Sequence, residues 1–498
     1  MIRSALLALT AAAFLTAATR LHGALAWLVC TPLILGVARA DGLRGAGTVG
    51  ALFGVTAALG GHGGWVAAAG QQYFELSWPQ AAAAVLLLAV PCGTLLGAVL
   101  GVGLRCAVQA AGPSAALSAG AVWAAWEWLT TAVLPYYPWA SLASTQADLA
   151  VPLQIAGLLG QAGLSFCIAA AGGSLALALL ARGHPRGAFE HLSVCVAIIL
   201  LGTAFGYARL AAEERVPAST CSIRTVDAGI SSPAAPLAEI VDRYEAATAQ
   251  PSPAAKFDAV AWPESALLVS PELDGALQAR LRALAHRLGT VLIAGGPRLH
   301  WSGNWQPLAF NSAYRIQDSG ALEAYDKRVL VPFAEYWPAI GVARPAWLAT
   351  QEVAPGTEPA LFAAGACRLG VLICFEGQHA HLARELAHAG ADILLVVSND
   401  AQLPQEAVSL QISQLRLRAV ETGVPVVRAA NKGISASIDR FGRIQQMARG
   451  GTLDIALAPG EPAPAVRAAP LFLSLCWGMT VAAFALATRR QRPRSTIG

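Results

Sequence analysis

Charged residues are scarce in this chain of 498 amino acids: they make up 13% of it, against 55% hydrophobic. Between Arg44 and Arg182 the only Asp, Glu, Lys or Arg residues are Glu75, Arg105, Glu127 and Asp148. With a mean hydropathy of +0.52, the chain is too apolar for a soluble enzyme of this size and reads as an integral membrane protein with room for one soluble domain. A net charge of +4 is too small on so long a chain to indicate a nucleic-acid partner. The phosphate-cradling G-x-x-x-x-G-K pattern is absent, which excludes a nucleotide site of that type. No A-x-A site precedes a hydrophilic mature region, so the first apolar stretch is expected to stay as a span rather than leave as a signal peptide. Internal repeats and low-complexity tracts are missing too.

The apolar runs that are present lie near residues 4–19, 22–39, 47–69, 81–104, 115–134, 157–181 and 190–210, with one more at 471–487. Each is about long enough to cross a bilayer. These runs predict a membrane domain over 1–212 with about seven transmembrane helices, an external domain over 219–460, a final span over 468–488 and a basic tail over 489–498. With eight spans, Arg3, Arg39, Arg44, Arg105, Arg182, Arg186 and the tail fall on one side, which the positive-inside rule makes cytoplasmic. Arg20 is the exception. The large polar segment then lies outside the cytoplasm.

That segment holds most of the charge and alternates strand-like with helical patterns. Strands are expected at 222–226, 259–261, 290–294, 371–373, 393–397 and 425–428, and helices at 236–248, 271–288, 379–389 and 407–422. Such alternation predicts a layered α/β fold. The Pro- and Ala-rich stretch 458–470 reads as a linker into the last span. Six of the nine cysteines lie in or beside apolar runs; Cys221, Cys367 and Cys374 belong to the polar segment. If an oxidising compartment pairs two of these, Cys221 with Cys367 is the pairing that leaves Cys374 free.

Cys374 closes the apolar, strand-like run Leu369-Gly370-Val371-Leu372-Ile373, and Phe375-Glu376-Gly377 leads into a helical pattern. A thiol at a strand-to-helix junction is expected to gain from exposed N–H groups that favour the thiolate and could hold an oxyanion. Upstream, Ala261-Trp262-Pro263-Glu264 places a carboxylate just after a short strand. Lys327 and Glu335 bracket the proline-marked Val329-Leu330-Val331-Pro332-Phe333-Ala334. Alone, Glu264 reads as solvated and Lys327 as a surface partner of Asp326. His379, His381 and His388 follow the cysteine, but no carboxylate accompanies them, and no metal is expected. Glu75 and Glu127 lie near or within apolar spans, where an acid has either a structural or a substrate-path role.

The order Glu264, Lys327, Cys374 within these flanks resembles the nitrilase (carbon–nitrogen hydrolase) superfamily, and within it the apolipoprotein N-acyltransferase family. Trp126-Glu127-Trp128-Leu129, Pro138-Trp139 and Ser144-Thr145-Gln146 resemble that family's membrane signature. Leu330-Val331-Pro332-Phe333, Ile373-Cys374-Phe375-Glu376 and Ser398-Asn399-Asp400-Ala401 resemble its external motifs. The resemblance implies a multi-span α-helical membrane domain joined to an α-β-β-α nitrilase-like sandwich. It also implies a Glu264–Lys327–Cys374 triad, support from Glu335, Tyr336, Phe375, Glu376 and Asn399, and no cofactor. Glu264 would act as base, Cys374 as nucleophile, and Lys327 with the Phe375 N–H as oxyanion stabilisers. The implied donor is a membrane phospholipid, phosphatidylethanolamine, and the implied acceptor is a diacylated apolipoprotein in the bacterial inner membrane. Gln402-Leu403-Pro404 departs from the family's Trp-Phe-Gly, and Ala334 replaces its glycine. Two alternatives stand beside this reading: a membrane-bound relative acting on a different amine, and an inactive scaffold.

Overall fold

The computed structural model describes the chain except residues 111, 134–140, 213–219, 231–235, 252–255, 302–306, 340, 342, 346–351 and 492–498, and the side chains of 490 and 491. Pro138, Trp139 and the end of the basic tail lie outside the described residues. The chain divides into two compact units, 1–213 with 467–498, and 214–466.

The first unit is helical. It contains α1 (Ile2–Arg20), α2 (Ala26–Ala38), α3 (Gly42–Ala58), α4 (Gly64–Phe74), α5 (Trp78–Ala107), α6 (Ser114–Val133), α7 (Ala150–Leu153), α8 (Ala156–Leu180) and α9 (Pro185–Ala211). A π-helical turn at Leu59–Gly63 joins α3 to α4. Among the described residues, six helices are long and apolar enough to cross a membrane: α1, α3 with α4, α5, α8, α9 and the chain's last helix. The stretch Gly23–Ala38 is apolar but shorter. Helix α6 spans 20 residues, but three tryptophans and Glu127 lower its mean hydropathy.

Between α3 and α5 the backbones approach through small residues. A Cβ at Gly50 would stand 2.1 Å from the Gly97 oxygen, and one at Gly54 would stand 2.2 Å from the Gly93 oxygen. Apolar side chains gain little from leaving lipid, so close backbone packing of this kind replaces the hydrophobic effect as the force between spans. Buried Glu127 accepts from Trp123 Nε1 and from the Leu142 amide, both at 2.8 Å. It thereby ties α6 to the segment that follows it.

The second unit is a two-sheet sandwich. One sheet runs β12-β1-β2-β3-β4-β5 and the other β11-β10-β9-β8-β7-β6. The first is built from β1 (Cys221–Asp227), β2 (Ala259–Ala261), β3 (Val291–Trp301), β4 (Pro307–Ile316) and β5 (Glu323–Asp326), closed by β12 (Gly451–Leu457). The second contains β6 (Leu361–Ala364), β7 (Cys367–Ile373), β8 (Ile393–Asn399), β9 (Val426–Asn431), β10 (Ser435–Ile438) and β11 (Ile444–Ala448). Strands β1–β3 are parallel, as are β7–β9.

Alternate residues such as Leu369, Val371 and Ile373 face Ile223, Ala261 and Ile293 across the sandwich. The intervening residues pack outward. Val260, Leu292 and Tyr314 meet α10 (Leu237–Thr248) and α11 (Gly275–Leu288), while Leu372, Leu394 and Val396 meet α12 (Ala380–His388) and α13 (Gln405–Thr422). Strands such as β7 and β8, buried on both faces, are largely apolar, which is why their runs stand out in the sequence. The architecture is therefore α-β-β-α. Cys221 and Cys367 form a disulfide within the inter-sheet core, with Cα atoms 6.0 Å apart.

The last helix, α14 (Ala465–Gln491), begins inside the stretch read as a linker. Ala465 to Ala469 are mostly good helix formers, and the helix continues through Pro470 despite the bond its absent N–H cannot make.

Candidate active site

The parallel strands deliver their C-terminal ends to one place. Beyond β2, the chain is anchored by Trp262, fully buried, stacked on Tyr244 at 4.9 Å and bonded through Nε1 to Thr248. Two residues later comes Glu264. A Cβ on Gly295 of β3 would stand 2.6 Å from the Glu264 Cα, so only glycine lets this turn lie against the strand. Glu264 Oε2 accepts from the Asn399 amide at the end of β8 (2.9 Å), and Oε1 accepts from Asn311 Nδ2 (2.7 Å) and Lys327 Nζ (3.4 Å).

Lys327 follows β5 and is buried, not the surface partner of Asp326 that its neighbours suggest. Its ammonium donates to Glu335 Oε1 at 2.9 Å, while Asp326 is taken by Arg298 and Ser312. Burial alone would lower the lysine, but the Glu335 and Glu264 carboxylates outweigh it and hold the ammonium well above its ordinary range. Glu335 also accepts from Asn311 Nδ2 (2.8 Å) and the Val331 amide (2.7 Å).

Cys374 sits immediately after β7 with φ +51°, a left-handed conformation that a non-glycine residue adopts only when its surroundings impose it. The residues that follow form a short 3-10 helix, Cys374–Gln378, before α12. The expected drift toward thiolate is not found. Burial first, and then the Glu264 carboxylate, push the thiol up to about 12, against an opposing pull from Lys327. The residue as a whole is nonetheless partly exposed.

Glu376 is fully buried. It accepts from the Arg328 and Val329 amides, the Ile373 amide and the Tyr325 hydroxyl, all within 2.6–3.0 Å. It therefore fixes the Lys327 segment to the end of β7. Phe375 is buried against His379, ring centroids 4.8 Å apart. Burial, together with the neighbouring charges of His381 and Arg418, lowers His379 to about 3, leaving it neutral. Among the described residues no histidine, cysteine or acid cluster suits a metal.

The Tyr336 carbonyl accepts from the Phe333 amide (2.7 Å), closing the turn that contains Glu335. Its ring lines a shallow cavity of about 330 Å³ with Trp337, Leu308 and Val353. The Asn399 side chain accepts from Asn431 Nδ2 at 3.1 Å. The residue that sequence reasoning missed is Asn311. A single Asn in a strand carries no signal, and only the register of β4 brings its amide between two carboxylates. A second buried set, Asp400 with Arg428 and Gln411, lies close enough for its charges to act on Cys374.

A buried Glu–Lys–Glu cluster beside a cysteine elbow, on an α-β-β-α sandwich, defines a carbon–nitrogen hydrolase-type unit, here in a chain with several membrane-length helices. The carbon-nitrogen hydrolase family matches residues 225–459, and the apolipoprotein N-acyltransferase N-terminal domain matches residues 8–174. The chain is 32% identical to the apolipoprotein N-acyltransferase of Geobacter metallireducens over 435 residues, covering 85% of this chain and 82% of that one. It is also 32% identical to the apolipoprotein N-acyltransferase of Caulobacter vibrioides over 348 residues, covering 66% and 64%. A solved amidase of the nitrilase superfamily from Nesterenkonia, 20% identical with a TM-score of 0.39, aligns over 53% of this chain and 98% of its own. The chain belongs to the apolipoprotein N-acyltransferase family. It is a multi-pass membrane enzyme of lipoprotein N-acylation, which implies a lipid donor and a lipoprotein acceptor.

Proposed function

We propose that Cys374 carries the acyl group as a thioester, taken from phosphatidylethanolamine and passed to the N-terminal amine of a diacylglyceryl-cysteine, on the periplasmic side of the bacterial inner membrane. Cys374 Sγ attacks the donor's ester carbonyl as Glu264 takes the thiol proton. Lys327 stabilises the oxyanion, with the Phe375 amide as its expected companion. Collapse breaks the ester C–O bond, and the proton on Glu264 passes to the departing lysophospholipid. The acceptor amine then attacks the thioester, Glu264 takes its proton, and the returning thiolate is reprotonated as the amide forms.

The observation that supports this reading most is the fixing of Glu264. One oxygen is held by the Asn399 amide and the other by Asn311 and Lys327, beside a thiol too weakly acidic to ionise alone. The test is mass spectrometry of protein incubated with phosphatidylethanolamine vesicles and no acceptor. One acyl group on Cys374, labile to hydroxylamine, is expected in the wild type, none in Cys374→Ala and almost none in Cys374→Ser. An acyl group on another cysteine instead would overturn the assignment.

A further inference from the structure

The amide that fixes Glu264 is itself held from behind. Asn399 ends β8 beside Asn431, its partner at the end of parallel β9. The Asn399 side-chain oxygen accepts from Asn431 Nδ2, which also donates to the Ile230 oxygen at 3.2 Å. The next residue, Asp400, donates its amide to the Asn431 oxygen (3.0 Å). Both Asp400 carboxylate oxygens are taken, each at 2.7 Å, by the two terminal nitrogens of Arg428 in β9. The same guanidinium donates to Gln411 Oε1 on α13 and to the Ile434 oxygen, again at 2.7 Å. A Cβ on Gly433 would stand 1.7 Å from Asp400 Oδ2, so glycine is required where the loop after β9 closes over the carboxylate.

Arg428 is 0% exposed and Asp400 3%. Taking two opposite charges out of water costs about as much as their attraction returns, so a buried pair adds little net stability. What a two-point guanidinium–carboxylate grip does supply is fixed geometry. Here that geometry is imposed one peptide away from the Asn399 amide, whose bond at 2.9 Å sets Glu264 Oε2. Burial, then Glu264 and Lys327, govern the Cys374 thiol; of the pair, Asp400 raises it and Arg428 lowers it. Their charges oppose each other at the sulfur, which leaves position as what the pair contributes.

We propose that Arg428 and Asp400 are a positioning pair for the reaction: by locking the end of β8 they hold the Asn399 amide where it keeps Glu264 set to take the thiol proton. This inference rests on the roles given above to Glu264 and Cys374.

The test is Arg428→Lys in the full chain, which keeps the charge and gives up the two-point grip, with rates taken per folded molecule. At neutral pH, thioester formation from phosphatidylethanolamine vesicles should slow by on the order of 10–10²-fold. The gap to wild type should narrow as pH rises, because hydroxide then replaces Glu264 as base. In a Glu264→Gln background the same change should cost almost nothing. Iodoacetamide alkylation of Cys374, followed by mass spectrometry against pH, reads the same device without the reaction. A Glu264 carboxylate let go raises the thiol less, so the inflection should shift downward in Arg428→Lys and stay in place when Glu264→Gln is also present. Asp400→Asn is the second variant should Arg428→Lys not fold. There thioester formation should slow while alkylation quickens, since Arg428 then acts on the thiol unopposed. A slowdown of equal size in the Glu264→Gln background, unchanged with pH, would make the pair merely structural and overturn the inference. An unmoved inflection in Arg428→Lys, or unslowed thioester formation in both variants, would also overturn it. No thioester in wild type, with an inflection that shifts only where Glu264 is present, would remove the reaction and sustain the pair.

Discussion

A Cys374 thiol held up to about 12 keeps its proton at neutral pH, so the proposed mechanism couples attack to proton transfer to Glu264. Glu264→Gln removes the acceptor and also the negative charge that raises the thiol. Two readouts should therefore move in opposite directions. Thioester formation should slow by about 10²-fold or more, while iodoacetamide alkylation of Cys374 should quicken at a given pH, its inflection shifted downward. High pH should partly rescue thioester formation in this variant, because hydroxide supplies the thiolate. Lys327→Met removes the cation that lowers the thiol and faces the oxyanion. Its loss should cost on the order of 10²–10³ in rate, slow alkylation, and resist rescue by pH. The double variant should be little worse than either single one, since members of one catalytic unit fail together. Wild-type thioester formation in both single variants would remove the assignment.

Among the elements, the α3–α5 seam leaves no room for added atoms. Gly97→Val puts a Cβ 2.3 Å from the Gly50 oxygen, so it should separate the two helices and lower thermal stability in detergent, with Gly97→Ala intermediate. In the sandwich, the Cys221–Cys367 bridge closes a 146-residue separation, for which chain entropy predicts up to ~5 kcal/mol. Cys221→Ala should lower the melting temperature of the soluble unit, and reductant should do the same to wild type alone. The most legible strands in the sequence are β7 and β8, whose burial on both faces leaves the unbroken apolar runs Val371-Leu372-Ile373 and Ile393-Leu394-Leu395-Val396-Val397. Strands β4, β5, β6, β10, β11 and β12 went unread: they are antiparallel, short or partly solvated, and β11 is mostly exposed. The same logic divides the site. Glu264, Lys327 and Cys374 follow strands or motifs with a local signature. Asn311 depends on a pairing register, and the true role of Glu376 depends on four partners scattered over two sheets.

At the scale of the whole chain, the distribution of basic residues sets an expectation for topology. A reporter fused after Gly498 should behave as cytoplasmic and one inserted near Gly303 as periplasmic, both sites lying outside the described residues. Placement of both on one side would remove the periplasmic assignment of the catalytic unit. Within that unit, Cys374 ends a strand of one sheet and Lys327 follows a strand of the other, yet Glu376 grips the peptide groups on both sides of that divide. The carboxylate works as a rivet through two plates. A substrate that enters the site therefore meets a nucleophile and an ammonium whose spacing is set by one buried carboxylate.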